Sequence, residues 1–258
     1  MFIETADRGP VRWLTLNQPD HKNAIPATGW GELREALICF EDSGQRALVI
    51  TGAGGDFCSG ADLGAAESES DSSVTGRAGR MREVGAAALA LHRLTKPTLA
   101  AVDGVAAGAG MNLALGCDII VATERAQFAE VFVKRGLTLD FGGTWLLPRL
   151  IGMARARELA LTGRTVGAAE ALEIGLVSRV VDTAELEETV DNLATELAAG
   201  APFAQRFIKT GLSRSLDMTF EQAISYEDQA QATLLASDDL REGVAAFLEK
   251  RDPDFRGG

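Results

Sequence analysis

"KPTLAAVDGVAAGAGMNLALGCDIIVAT", Lys96 to Thr123, is the stretch on which the fold of this 258-residue chain turns. Within it TLAAVDG (98–104) and CDIIVAT (117–123) are short apolar runs bounded by glycine or aspartate. Runs of that length, with helical segments between them, predict strands buried in an α/β fold, where helices cover both faces of the sheet. Between the two runs, GVAAGAG is a turn of small residues that opens the short helix AGMNLALG. Such turns expose backbone N–H groups, and those at a helix start also sit at the positive end of its dipole. Either these donors hold something negative, or the small residues only let strand and helix pack closely.

The same pattern extends outward. RALVITGAG (46–54) predicts another buried strand, and VRWLTLNQP opens with a strand that alternates from Val11 to Leu16 and stops at Pro19. GWGELREALICFEDSG (29–44) reads as a helix. The acidic, polar stretch AAESESDSSVTG (65–76) cannot bury enough surface to order itself and is expected to be a mobile loop. After it, Met81, Val84, Ala88, Leu91 and Leu94 repeat at helical spacing, with His92 beside the stripe as a packing or surface residue. Beyond GLVSRVV (175–181) the pattern becomes helical, marked by Leu186, Val190, Leu193 and Leu197, then by Leu240, Val244, Phe247 and Leu248. Asp239 and Glu242 are spaced as a capping box for the last helix.

Bulk properties narrow the function. A formal net charge of -12 repels nucleic-acid backbones and anionic membranes. Cys39, Cys58 and Cys117 form no CxxC pair and read as free thiols, and His21 and His92 are too few and too far apart for a metal site. The apolar stretch from Leu99 to Ala122 is broken by Asp103, Asn112 and Asp118, which argues against a membrane span. No secretory signal is visible at the N-terminus, so the cytoplasm is the expected compartment. Neither GAGGDFCSG nor GVAAGAGMNLALG completes GxGxxG, and no GxxxxGK[ST] occurs, so the glycines do not spell a nucleotide site.

FCSGADL (57–63), the Lys96 to Thr123 stretch, GGTWLLPRLIG (142–152), ALEIGLVSRVV and DDLREGVAAFLEKRDPDF (238–255) together resemble the crotonase, or enoyl-CoA hydratase/isomerase, superfamily, in order and over nearly the whole chain. The resemblance implies an α/β spiral of ββα units over residues 1–197 and a C-terminal α-helical trimerisation region over 198–258, in trimers that pair into hexamers. It implies an acyl-CoA thioester as substrate and no metal, flavin or nicotinamide cofactor. By position, the N–H groups of Ala61 and Ala109 become the donors that hold the thioester oxygen as it turns into an enolate. Lys22, Asn23, Ala24 and Ile25 would lie along the CoA, with Ala61, Asp62, Leu63, Ala109, Asn112 and Phe132 around the acyl group. Where many relatives carry a phosphate-binding lysine after GADL, this chain has Gly64.

Hydratases of this superfamily use two glutamates, but the matching positions here are Asn112 and Phe132, neither of which can transfer a proton. Glu130 would need a gap to reach the second position and reads as a solvated surface acid. Asp140, in DFGGTWLLPR, instead falls where dienoyl-CoA isomerases and the ring-epoxide isomerases of phenylacetyl-CoA degradation keep a working aspartate, and the string is most similar to the second group. In a related dehalogenase that aspartate is a nucleophile. From the residues alone, Asp140 is either a helix N-cap or a carboxyl whose pKa Leu137, Leu139 and Phe141 raise for proton transfer. Trp145 is expected in the pocket wall or core. The favoured reading is an isomerase; the alternatives are an enoyl-CoA hydratase and a non-catalytic acyl-CoA-binding homologue.

Overall fold

The computed structural model describes residues 1–62, Gly64 and 73–258. Six strands form the main sheet: β1 (Ile3–Arg8), β2 (Val11–Leu16), β3 (Ala47–Gly52), β4 (Thr98–Val102), β6 (Ile119–Thr123) and β9 (Arg179–Val181), side by side in that order. β1 pairs antiparallel with β2 and the rest are parallel. β5 (Val105–Ala107), β7 (Gln127–Ala129) and β8 (Thr165–Gly167) make a second, smaller sheet. The predicted strands are all present: β2 spans Val11–Leu16 as read, and β3, β4 and β6 are shortened at their glycine or aspartate boundaries. β1 went unpredicted because only Ile3 of its six residues is buried, as expected of an edge strand.

Alternation along the parallel strands explains their unbroken apolar character. Leu48 and Ile50 of β3 face one core with Ala100, Val102, Ile120 and Ala122. Ala47 and Val49 face the other with Leu99, Ala101 and Val121. Helices α1 (Gly29–Glu41), α2 (Val74–His92) and α3 (Ala109–Leu115) cover the first face, through Leu33, Leu37, Val84, Ala87, Leu91 and Leu113. The second face is closed by Val190, Leu193, Ala194 and Ala198 of α7 (Leu186–Ala199), after α4 (Gly143–Ile151), α5 (Met153–Thr162) and α6 (Ala168–Glu173). Residues 65–72 of the expected loop lie outside the described residues; Ser73 caps α2 through the Gly76 N–H at 3.0 Å, so its last three residues, 74–76, are already helix.

The C-terminal part is helical, as its periodicity predicts: α8 (Pro202–Arg214), α9 (Phe220–Leu234) and α10 (Asp238–Glu249). Lys209 of α8 reaches Asp118 at 2.7 Å, and the same Asp118 oxygen accepts from the Thr98 N–H and hydroxyl, which ties helix to sheet. The capping box at α10 is not formed by Asp239 and Glu242. Ser237 is the N-cap, accepting from the Leu240 N–H at 3.1 Å. Asp239 instead accepts from the N–H groups of Arg256 and Gly257, and Glu242 holds Arg251 and the Asp254 N–H. Both acids thus fasten the chain's end. The apolar stripe of α10 is largely uncovered, with Phe247 82% and Leu248 74% exposed.

Candidate active site

A cavity of about 660 Å³ opens between the start of α3, the segment after β2 and the loop before α4. Its shape follows from two short parallel bridges. Cys58 pairs with Ala106, and Ile25 pairs with Ala61, through bonds from the Ile25 N–H to Gly60 and from the Asp62 N–H to Ile25. Those bonds use the residues on either side of Ala61, so the Ala61 N–H points to the opposite side of the strand. The Ala109 N–H begins α3, where first-turn donors have no intrahelical acceptor. Gly60 brings the two together: a side chain there would meet the Ala109 nitrogen at 3.5 Å. Gly108 enters α3 at φ 54, ψ −128, a conformation open to glycine alone. Ala61 and Ala109 both line the cavity.

Asp140 lines the same cavity. It does not cap α4, whose N-cap is Gly142, with no side-chain bond. The chain turns sharply behind it, with Phe141 at φ 47 and Gly142 at φ 86, and the Asp140 carbonyl accepts from Gly143 N–H at 2.9 Å and from Asn112 Nδ2 at 3.0 Å. Held by its backbone, the residue keeps its carboxyl Oδ1 buried and, among the described residues, without a hydrogen-bond partner. Burial pushes its pKa up to about 6. Phe141 is buried behind it, its ring tilted 37° to that of Trp30 with centroids 5.9 Å apart, whereas Leu137 is over half exposed in the cavity lining.

The other expected site residues divide. Ala24, Ile25, Asp62 and Phe132 line the cavity. Lys22 and Asn23 do not. Asn23 is fully buried and spends its amide on the carbonyls of Ala53 and Asp56 and the N–H of Gln18, and Lys22 leans out toward Asp56 at 3.8 Å. Asn112 is fully buried behind Asp140, with its side-chain amide on the Asp140 carbonyl. Leu63 lies outside the described residues. Trp145 stands apart from the cavity, edge-on to His92 at 5.2 Å with Arg149 over its ring. Cys58 and Cys117 are buried free thiols held protonated by burial, near a pKa of about 12.

Glu130 is the main correction. It is fully buried, not solvated, and burial, reinforced by the charge of nearby Asp140, pushes its pKa up to about 8. Sequence reasoning also missed His21, Trp30, Arg80, Met81 and Arg135, which converge on the cavity from four separate elements. The basic members suit an anionic ligand at the mouth. Nothing in their local spacing could have revealed them.

The model of the family described as "Enoyl-CoA hydratase/isomerase" matches residues 7–258. The chain belongs to that family. It is 41% identical to a 1,2-epoxyphenylacetyl-CoA isomerase of Escherichia coli, over 99% of this chain and 98% of the relative. It is 40% identical to a probable enoyl-CoA hydratase of Rhodobacter capsulatus, over 95% and 93% of the two chains. Among solved structures, an enoyl-CoA hydratase from Bacillus anthracis superimposes with a TM-score of 0.95 at 31% identity, covering 100% of both chains. The crotonase-type α/β fold is therefore common to relatives named for hydration and for isomerisation.

Proposed function

We propose that the protein is an acyl-CoA isomerase that moves a double bond, or rearranges a ring, with Asp140 as its single proton carrier. The observation that carries this reading is the half-desolvated carboxyl facing the cavity that the Ala61 and Ala109 amides also line. Those N–H groups bind the thioester oxygen and stabilise the charge that develops on it, which acidifies the α- and γ-carbons of the acyl chain. Asp140 removes a proton from one carbon and returns it to another through the dienolate. A single carboxyl that serves both carbons moves the proton along one face of the chain. His21, Arg80 and Arg135 favour the phosphates of CoA at the mouth, and the proton transfer calls for no further cofactor.

Hydration is the second reading, favoured by the names of several relatives. It needs an acid and a base at the double bond, and Asn112 and Phe132 occupy the positions where hydratases carry them. Purified protein given trans-3-hexenoyl-CoA is expected to generate the absorbance of a conjugated thioester, and given crotonoyl-CoA to consume that absorbance far more slowly. Rapid loss of crotonoyl-CoA, with no isomerisation of the 3-enoyl thioester, would favour hydration. Tight CoA-thioester binding with no turnover of enoyl, dienoyl or epoxide substrates would leave the non-catalytic alternative.

The proposal includes self-association, as a homotrimer or a hexamer. It is supported by the uncovered stripe of α10 and by α8, which buries none of its residues within the chain. Sedimentation velocity at micromolar concentration is expected to show a species several times the monomer mass. A monomer throughout would reject the assembly.

A further inference from the structure

Beneath the cavity floor lies an acid that the proposed proton transfer does not use. Glu130 precedes the 3-10 turn Val131–Arg135 and is fully buried, and among the described residues neither of its carboxyl oxygens has a hydrogen-bond partner. Beside it, Asn112 gives Nδ2 to the Asp140 carbonyl while its own Oδ1 is buried without a partner. Asp140 Oδ1 is equally unpartnered. With both acids ionised, every one of these atoms is an acceptor, and each would bear the full desolvation penalty. Asn112 Nδ2 has one further N–H, which favours the Glu130 carboxylate but is outweighed by burial; for the bare Asn112 Oδ1, the donor this cluster can supply is the O–H of a protonated carboxyl.

We infer that Glu130 is a positioning residue for Asp140: it stays protonated, donates to Asn112 Oδ1, and so fixes the amide whose other end holds the Asp140 backbone. The inference rests on the role of Asp140 proposed above. The two acids titrate in sequence because their surroundings differ. Asp140 borders the cavity and ionises near pH 6; the deeper burial of Glu130, reinforced by that charge, keeps the second proton in place to about pH 8. Asp140 is the charge that acts on Glu130. On the same turn, Lys134 and Arg135 are exposed; from the side of α5 and β8, Glu158 and Arg164 pair with each other; His21, Asp62, Arg80 and Glu83 line the cavity above. Once Glu130 ionises, it faces Asn112 Oδ1 as acceptor against acceptor and sets a like charge beside Asp140.

Two variants separate the donor from the charge. Glu130→Gln keeps an N–H donor and cannot titrate; Glu130→Met keeps the volume and loses the donor. With trans-3-hexenoyl-CoA as probe, E130Q is expected to keep kcat within about threefold of wild type and to lose the fall in rate above pH 8. E130M is expected to lose about tenfold in kcat with KM little changed, the cost of one buried acceptor left bare. Independently of turnover, the infrared difference between wild type and E130Q at pH 7 is expected to contain the C=O stretch of a protonated carboxylic acid. Absence of that band, or an E130M enzyme with the wild-type kcat and pH profile, overturns the inference. A clear band in a protein that isomerises no enoyl-CoA would instead reject the catalytic reading and leave the protonated Glu130 standing.

Discussion

Asp140→Asn is expected to lower turnover of a 3-enoyl-CoA by about 10³-fold, within the range that a positioned general base contributes. The amide is nearly isosteric, and the residue is held through its backbone carbonyl by Gly143 and Asn112, so the turn behind it does not depend on the carboxyl. Affinity for a CoA thioester should therefore change little, so the loss falls on kcat and not on KM. In the wild-type protein kcat/KM should rise with pH through about 6, because burial has raised the carboxyl to that value and only the ionised form accepts a proton. Stopped assays across that interval, with equilibrium binding of an unreactive acyl-CoA to D140N, check both statements. A D140N protein within tenfold of wild type would show that the proton moves by another group.

The second large effect concerns the amides opposite. Gly110→Ala is expected to cost about 10² in kcat and to lower stability by about 1–3 kcal/mol. A side chain at Gly110 would meet the Cys58 Cβ at 2.7 Å and the Cys58 carbonyl closer still, and Cys58 belongs to the bridge with Ala106 that leads into the Ala61 strand. The start of α3 would have to back away from that strand. Ala109 and Ala61, which must bond one oxygen together, would then diverge, and fixed dipoles help the transition state only while they converge. Denaturant unfolding and kcat measured on the same preparation test this. Wild-type kcat in G110A would mean that the amide pair is not the oxyanion site.

Much of the scaffold was legible because buried parallel strands and tight turns carry local signals. The apolar runs at Leu48 to Ile50, Leu99 to Val102 and Ile120 to Ala122, and the small residues from Gly104 to Gly110, follow from packing on both faces and from backbone conformations open to few side chains. The absence of an ionisable group at Asn112 and Phe132, and the acid at Asp140, were equally visible. Capping was harder to read: Asp239 and Glu242 have the right spacing, but the partners they hold, Arg251 and the N–H groups of Asp254, Arg256 and Gly257, arrive from the chain's end.

The sequence by itself determined the family, the buried sheet and which residues could carry a proton at all, since these depend on residue type and near-neighbour spacing. The tertiary structure alone decided that Asp140 faces the cavity while Asn112 lies behind it, that the buried Asn23 side chain holds a loop, and that Glu130 is buried. Whether a carboxyl is wet or dry, paired or bare, is set by groups distant in the chain, and desolvation, which fixes where it titrates, is a property of that surrounding volume.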